Sequence, residues 1–492
     1  MKPTQEQLEI LKAFKTNRVL KVNAVAGSGK STTLKMIADE NEQASLYVCF
    51  NKVIAEEASQ KFPNHVECRT SHSLAFAAHG KPLYHKLNRP RGRYVNVAQT
   101  SAEVAKYYNL KEFTCDDPES PVAPNAIASF IKMSVNRYQN SADDQINKTH
   151  LPYHEMKKLE KNHAGLNIKR LSDVVLKYAK MLWNDRTDPT SPVLAHHDTY
   201  LKLWQLSRPV LNYDIIYVDE SQDTNPTVLD VIMRQSHAKV VYVGDTYQSI
   251  YQFRGAVNAM EMIDATTRVL SKSFRYGPEV ADVATWIIQK AIDVKGLDTI
   301  PSKVGQVNSD KFTHIFRTNG HLLETAVDYV QEGKDVFCEI ETKKFGQLLT
   351  SALALYRGDM KNVKHEDIAP YSCWQDLLDD AEEIHDLKRV ANIVSSGKTK
   401  LFLDSLERLN TKRGDADITL TTAHKSKGKE WDNVILADDF PIPDEDKWGL
   451  TPFDDMSQAE INLFYVAATR AIKTLQLPNK LYRADYSDYL KD

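Results

Sequence analysis

Short apolar segments alternate with amphipathic segments over the first 75 residues of the chain. The segments VLKVNAV (19–25) and SLYVCF (45–50) have the apolar character of buried strands, and the first ends at a glycine-rich turn. After that turn, Leu34, Ile37 and Ala38 recur at the spacing of one helical face. Alternation of this kind predicts a parallel sheet with helices on both faces.

The alternation stops after about residue 79 and resumes near residue 199. The intervening stretch has a helical pattern punctuated by prolines, and a second strand–helix series with its own helical interruption follows it. We therefore predict an α/β fold with two parallel-sheet domains, each carrying a mainly helical inserted subdomain. The predicted boundaries are 1–79 with 199–267 for the first domain, 80–198 for its insertion, 268–344 with 413–492 for the second domain and 345–412 for its insertion.

Composition narrows the class of protein. Of the 492 residues, 42% are hydrophobic and 26% charged, as in an ordinary globular protein, and the net charge of −3 excludes binding of polyanions by bulk charge. The five cysteines are scattered without CxxC spacing, so no zinc site or disulfide framework is expected. The polar N-terminal segment MKPTQEQLEI and the lack of a long apolar run predict an intracellular protein that does not enter a membrane.

The segment NAVAGSGKST (23–32) has most features of a phosphate-binding loop. Gly27 and Gly29 allow backbone N–H groups to converge at a helix N-terminus, Lys30 can reach the β- and γ-phosphates, and Ser31 can bind Mg²⁺. The usual glycine six positions before the lysine is Ala24. The alternative is a glycine-rich turn between a strand and a helix that binds no nucleotide.

A second acidic motif strengthens the nucleotide interpretation. The apolar segment IIYV is followed by Asp219 and Glu220. Ligands of open parallel sheets bind at the carboxyl ends of the strands, so these acids are expected near the phosphates. There Asp219 would hold Mg²⁺ and Glu220 would orient or deprotonate the attacking water. Taken alone, an Asp-Glu pair after a strand is more often a solvated turn, but together with the loop in the same predicted sheet it favours the catalytic interpretation.

The segment VYVGDTYQSIYQFRGA (241–256) suggests what the nucleotide drives. Gln248 follows a predicted strand and is expected near the γ-phosphate. Tyr251, Phe253 and Arg254 then place aromatic rings beside a cation, a combination that stacks on unpaired bases. The alternative is that these aromatic side chains fill a core.

These motifs, in this order, resemble those of superfamily 1 helicases of the UvrD/Rep type. The resemblance extends over PTQEQLEIL (Q motif), AVAGSGKST, FNKVIAEEA, CRTSHSLAF, VDESQD, GDTYQSIYQFRGA, SFR, ITLTTAHKSKGKEWDNVIL and LFYVAATRA. That family commonly has AxAGSGK in its loop, so Ala24 fits the pattern. Within the family, HDTYLKLWQLSRPVLNYDIIYVDESQD and FRGAVNA resemble the F-box DNA helicases in particular.

The resemblance implies two RecA-like domains and a site for ATP and Mg²⁺. It assigns adenine to Gln7 and Phe274, ribose to Glu430 and two arginine fingers to Arg275 and Arg470. The implied nucleotide-binding residues are Gln7, Ala26, Gly27, Ser28, Gly29, Lys30, Ser31, Thr32, Phe274, Arg275, Glu430 and Arg470. The implied catalytic residues are Lys30, Asp219, Glu220, Gln248, Arg275 and Arg470, and the implied metal ligands are Ser31 and Asp219.

The resemblance also implies a path for single-stranded DNA. Its residues are Asn51, Thr70, His72, Tyr251, Phe253, Arg254, His424 and Lys425. A histidine in such a position is equally typical of a structural residue. Phosphate contacts position a strand without reading its sequence, so little sequence preference is expected.

From the resemblance we expect an ATP- and Mg²⁺-dependent, DNA-stimulated helicase that moves 3′ to 5′ on single strands in recombination, repair or replication. Its expected DNA partners are single strands and single-strand/duplex junctions, with recombinases or single-strand-binding proteins as further partners. A monomer is expected, in the cytoplasm with the nucleoid or, in a eukaryote, in the nucleus. No F-box segment precedes the Q motif, so we do not expect a ubiquitin-ligase adaptor.

Two alternative functions stay open at this point. A translocase that strips proteins from DNA with weak unwinding is one, because the chain ends soon after the last motif. An ATP-dependent DNA clamp or adaptor with little hydrolysis is the other. The catalytic glutamate and both fingers argue against the clamp, since binding alone needs neither.

Overall fold

The structure is a computed structural model. It describes residues 2–49, 51–87, 99, 101–114, 121–161, 163, 165–250, 258–365, 367–369, 371, 373–381, 385–409, 414, 416–442, 456–479 and 481. The chain divides into two compact units, the first comprising 1–24 and 29–270 and the second 25–28 and 271–492.

A parallel sheet forms the centre of the first unit. Its strands are β1 (Val19–Ala24), β2 (Ser45–Cys49), β3 (Val66–Thr70), β4 (Ile215–Val218), β5 (Lys239–Gly244) and β6 (Thr266–Leu270). In the described part of the chain they are hydrogen-bonded in the order β3-β2-β4-β5-β1-β6, and each pair is parallel. Its helices are α1 (Gln5–Thr16), α2 (Lys30–Asp39), α3 (Lys52–Lys61), α4 (Ser71–Ala75), α5 (Ser101–Tyr107), α6 (Pro124–Gln139), α7 (Tyr153–Lys158), α8 (Ile168–Thr187), α9 (His197–Leu206), α10 (Pro226–Met233) and α11 (Ala259–Met262).

Both faces of this sheet are covered, as strand β2 illustrates. Tyr47 and Cys49 belong to the hydrophobic cluster that includes α1 and α2, whereas Leu46 and Val48 belong to the cluster that includes α9 and α10. Every position of β2 is therefore buried. A strand covered on both sides has a continuous apolar sequence because neither face meets water.

Helices α5 to α8, which lie between β3 and β4, have a hydrophobic core of their own. Ile131 and Val135 of α6 pack in one cluster with Leu171 and Val175 of α8. Polar contacts then join this group of helices to α10, which packs on the sheet. The Thr227 hydroxyl, at the start of α10, donates to the carbonyl oxygen of residue 139 at 2.7 Å. Such contacts satisfy the carbonyls at the end of α6, which have no partner within the helix.

The second unit also has a parallel sheet. Its strands are β7 (Lys303–Val304), β8 (Phe312–Phe316), β9 (Val336–Cys338), β10 (Ile418–Thr422), β11 (Trp431–Leu436) and β12 (Ala471–Gln476). Among the described residues these are hydrogen-bonded in the order β7-β12-β11-β8-β10-β9, all in parallel. Its helices are α12 (Pro278–Ile287), α13 (Asn319–Gln331), α14 (Thr342–Tyr356), α15 (Trp374–Ala381), α16 (His385–Ser395), α17 (Thr399–Glu407), α18 (Ala423–Ser426) and α19 (Gln458–Ala468).

Two parallel sheets flanked by helices confirm the predicted α/β fold class. Helices α5 to α8 follow β3 in the first unit, and α14 to α17 follow β9 in the second. The latter group shares a cluster that includes Leu349, Leu377, Val390 and Phe402. The exact domain boundaries given above stay predictions.

Candidate active site

The candidate site of the first unit lies where neighbouring strands of its sheet end. The register pairs Val48 of β2 with Val218 of β4, and Asn23 of β1 with Gly244 of β5. The acidic residues Asp219 and Asp245 therefore leave the sheet at the same edge as the loop that follows β1. This edge is where open parallel sheets bind ligands.

The glycines of the loop adopt backbone conformations that other residues rarely reach. Gly27 has a φ of 75° and Gly29 a φ of 79°. Gly29 is the N-cap of α2, which begins at Lys30, so the free N–H groups of this helix start at the loop. Ala24, the last residue of β1, is fully buried in the hydrophobic cluster that includes α1 and α2. Its methyl group thus packs inward at the position where the usual pattern has glycine.

Charges of opposite sign meet at the start of α2. The Lys30 Nζ lies 2.7 Å from Glu220 Oε2. Burial lowers the pKa of Lys30, but the charges of Glu220, Asp219 and Asp245 outweigh burial and leave that pKa raised. Lys30 is therefore held protonated, as a group that binds phosphate must be.

Oxygen atoms that suit a divalent cation come together beside this pair. The Ser31 hydroxyl donates to Asp219 Oδ2 at 3.0 Å. Burial raises the pKa of Asp219, and the charge of Glu220 raises it further; burial likewise raises the pKa of Asp245. Three carboxylates thus face one lysine, and a cation would compensate the surplus negative charge. The residues fit Mg²⁺, which prefers oxygen ligands.

Mg²⁺ needs few ligands from a protein because substrate phosphates and water supply the others. Within the described ranges, no group of three or more His, Cys, Asp or Glu side chains is arranged to hold a metal ion. Ser31 and Asp219 are therefore the candidate protein ligands of Mg²⁺.

Three residues that the sequence interpretation missed complete the site. Gln222 donates from Nε2 to Glu220 Oε2 at 2.7 Å and accepts at Oε1 from the backbone N of Asp245 at 3.0 Å. Asp245 in turn accepts from Gln248 Nε2 at 2.7 Å. Tyr47 donates to Asp219 Oδ2 at 2.5 Å. Asp245 follows a strand as Asp219 does, so its position in the sequence could have indicated a place in the site. Tyr47 lies within an apolar strand, and no sequence pattern indicated its role.

The other residues of the first half of the chain that are predicted to contact the nucleotide lie on α1, in the loop and in the first turn of α2. Gln7 of α1 is buried, and its side-chain amide donates to Thr33 Oγ1 at 3.1 Å. Ala26 and Ser28 are buried, whereas Thr32 is exposed in the first turn of α2. Their contacts with a nucleotide stay predictions.

In the second unit the two predicted fingers are held by neighbouring groups. Arg275 donates from Nε to Glu430 Oε2 at 2.7 Å and from Nη1 to the carbonyl of Thr469 at 3.1 Å. Arg470 is buried and donates to the carbonyls of Val466 at 2.8 Å and residue 429 at 3.2 Å. Glu430, predicted to contact ribose, is therefore a partner of Arg275 in this structure, and the half-buried Phe274 precedes that arginine.

The predicted DNA-contacting residues of the first unit lie at the ends of strands β2 and β3. Asn51 caps α3 by accepting from Ile54 N at 2.9 Å, and Thr70 caps α4 by accepting from Ser73 N at 3.1 Å. His72 Nε2 lies 3.5 Å from Asp198 Oδ1. These contacts give each residue a structural role, and contact with DNA stays a prediction.

The remaining predicted DNA contacts divide between a described helix and a segment outside the described residues. His424 and Lys425 lie on α18, where Lys425 Nζ donates to the Glu339 carbonyl at 2.6 Å. Tyr251, Phe253 and Arg254 lie outside the described residues.

Comparison with known proteins agrees with this geometry. The family model for the UvrD/REP helicase N-terminal domain matches residues 3–266, which include the loop, the acidic motif and Gln248. The chain belongs to the UvrD/REP helicase family. This match confirms the family predicted from the sequence motifs.

Curated relatives extend the similarity beyond the matched domain. The F-box DNA helicase protein 1 of Schizosaccharomyces pombe (strain 972 / ATCC 24843) is 33% identical over 97% of this chain and 58% of its own length. The F-box DNA helicase 1 of Gallus gallus is 29% identical over 98% of this chain and 49% of its own length. This UvrD/REP family chain therefore spans only about half the length of these two relatives. None of its described helices has the length and apolar character needed to cross a membrane.

Proposed function

We propose that this chain is an ATP-dependent DNA helicase that moves 3′ to 5′ along single-stranded DNA and separates the duplex ahead of it. The observation that carries the proposal is the cluster at the start of α2, where Lys30 and Ser31 meet Glu220 and Asp219. Membership of the UvrD/REP family and similarity to two proteins named DNA helicases support the choice of reaction.

Each residue of the cluster has a role that its position supports. Lys30, kept protonated, would bind the β- and γ-phosphates of ATP. Ser31 and Asp219 would hold Mg²⁺, which when bound neutralises phosphate charge. Glu220 would orient the attacking water and accept its proton. The Gln222 amide, 2.7 Å from Glu220 Oε2, would fix that carboxylate in place.

The fingers proposed in the second unit would supply positive charge to the transition state. Such arginines contribute about 10³–10⁵ in rate in well-studied NTPases. Arg275 and Arg470 each donate to a backbone carbonyl, of Thr469 and of residue 429 respectively, which restricts their side-chain orientations. A restricted side chain loses less entropy when it binds a phosphate.

Single-stranded DNA is the proposed track. Asn51 follows β2 and Thr70 is the last residue of the adjacent parallel strand β3, so both lie on the same edge of the sheet as the nucleotide cluster. Stacking on Tyr251 and Phe253 would add about 1–3 kcal/mol per base. Because stacking is tolerant of sequence, the proposed enzyme acts on strands of many sequences.

The proposal is tested by strand displacement on duplexes that carry a 3′ or a 5′ single-stranded tail. Wild-type protein should separate the 3′-tailed duplex with ATP, and Glu220→Gln should not. Exposed Glu42 provides the matched control, because Glu42→Gln removes a carboxylate away from the cluster and should leave unwinding unchanged. Equal activity on both tails would contradict the polarity. Separation without ATP would contradict the motor.

A further inference from the structure

All five residues of strand β2 are buried, and one of them, Tyr47, carries a phenolic hydroxyl. Tyr47 is fully buried, and its ring packs on Phe62 with centroids 4.9 Å apart. A buried tyrosine hydroxyl needs a hydrogen-bond partner, and this one finds it in Asp219 Oδ2 at 2.5 Å. The hydroxyl therefore reaches from the core of the first unit into the candidate active site.

The Asp219 carboxylate is held by several donors at once. The Ser31 hydroxyl donates to the same oxygen, Oδ2, at 3.0 Å, and the backbone N of Glu220 donates to Oδ1 at 2.9 Å. Strand β2 also holds the backbone of Asp219, whose N donates to the Val48 carbonyl at 3.0 Å. Tyr47 and Val48 together fix both the main chain and the carboxylate of this residue.

Ser31 and Tyr47, the two side-chain donors to Asp219 described above, differ in their burial and in their proposed roles. Ser31 is exposed and is itself a proposed ligand of the cation, so its hydroxyl would turn toward the metal. The Tyr47 ring is confined by Phe62 and by the strand register, which pairs it with Tyr217. Its hydroxyl would continue to hold Asp219 after the cation binds. Groups that hold a ligating carboxylate in this way tune the affinity of the metal.

We propose that Tyr47 is a positioning residue for the divalent cation of the nucleotide site. Its hydroxyl keeps the Asp219 carboxylate beside Ser31, so that the cation meets oriented ligands. The inference rests on the proposed function, because it assumes that Ser31 and Asp219 receive Mg²⁺ with a nucleotide. Loss of a group of this kind typically costs about 10–100-fold in metal affinity.

The chain offers a matched control in Tyr217 of β4. Tyr217 is also fully buried and lies beside Tyr47 in the sheet, and its ring packs on the same Phe62 with centroids 6.4 Å apart. The side chain next to its hydroxyl is Ser45, the first residue of β2, whereas Asp219 lies beyond the other end of that strand. Tyr217→Phe therefore removes a buried hydroxyl from the same core without touching Asp219.

The test measures binding of a fluorescent N-methylanthraniloyl-ADP while Mg²⁺ is titrated, and no turnover is needed. For Tyr47→Phe we expect the Mg²⁺ concentration at half-maximal binding to rise about 10-fold or more, with nucleotide affinity in EDTA unchanged. For Tyr217→Phe we expect the wild-type Mg²⁺ dependence.

Three results would overturn the inference. If Tyr47→Phe keeps the wild-type Mg²⁺ dependence, Tyr47 does not position the metal ligand. If both variants shift equally, the effect belongs to core packing. If wild-type protein binds the nucleotide with no dependence on Mg²⁺, or does not bind it, the proposed function fails together with the inference.

Discussion

Gly244, the last residue of β5, lies so close to the acidic motif that a methyl group cannot be added without displacing it. A Cβ built on Gly244 would lie 2.5 Å from Gln222 Oε1, 3.0 Å from Gln222 N and 3.1 Å from Ser221 N. The backbone atoms cannot rotate away, and the Gln222 amide is bonded to Glu220 and to Asp245. We therefore predict that Gly244→Ala damages both the stability of the first unit and its catalysis.

The magnitude follows from two losses. Forcing a methyl group into a packed core costs about 1–3 kcal/mol. Displacing Gln222 also breaks its bond from the Asp245 backbone N, and a buried hydrogen bond contributes about 1 kcal/mol. The free energy of unfolding should thus fall by roughly 2–4 kcal/mol. Because Gln222 holds Glu220, a shift of about 1 Å should lower kcat about 100-fold.

Urea unfolding and ATP turnover measure these two effects, and Gly346 supplies the control. A Cβ on Gly346, within α14, would meet Leu403 Cδ2 at 3.6 Å, an ordinary contact. Gly346→Ala should therefore stabilise by about 0.5–1 kcal/mol and leave kcat unchanged. The reasoning fails if Gly244→Ala loses less than about 0.5 kcal/mol and keeps its kcat.

Three further predictions test separate parts of the account. Lys30→Ala should abolish ATP turnover while single-strand affinity, followed by fluorescence anisotropy, stays unchanged; normal turnover would refute the assigned loop. Arg470→Ala should still bind ATP while kcat falls by about 10³ or more, and a kcat within tenfold of wild type would remove Arg470 from catalysis. Burial, helped by nearby positive charge, lowers the pKa of His196 to about 3, and its backbone N donates to Thr199 Oγ1 at 3.0 Å at the start of α9. Between about pH 3 and pH 6.5, His196 is therefore neutral in the folded protein and protonated in the unfolded chain. The free energy of unfolding should fall as the pH drops below about 6.5, by roughly 1–2 kcal/mol at pH 5. Unfolding at several pH values should show a smaller fall for His196→Asn and an unchanged one for the exposed control His154→Asn; equal slopes would contradict the assignment.

Much of the fold was predictable because buried parallel strands have a simple signal. The segments predicted as strands at 19–25 and 45–50 contain β1 and β2. Each is an apolar run between polar segments, since both faces of the sheet are covered by helices. The meeting of Lys30 with Glu220 also followed from the rule that strand ends share one edge.

What sequence patterns did not predict depends on register and on side-chain direction. Tyr47 reads as one more apolar strand residue, and only the position of β2 next to β4 shows that its hydroxyl meets Asp219. The pairing of Arg275 with Glu430 joins residues far apart in the chain. The family role of Glu430, contact with ribose, stays a prediction. Neither contact has a local pattern from which it could be inferred.

The central claim is that the cluster around Lys30 and Glu220 hydrolyses ATP to drive movement on single-stranded DNA. Steady-state ATP hydrolysis, with and without poly-dT at moderate salt, tests it most directly on wild type and Glu220→Gln. The account predicts strong stimulation of the wild type by DNA and near-complete loss of turnover in the variant. Slow hydrolysis that is indifferent to DNA, or a variant as active as wild type, would contradict it.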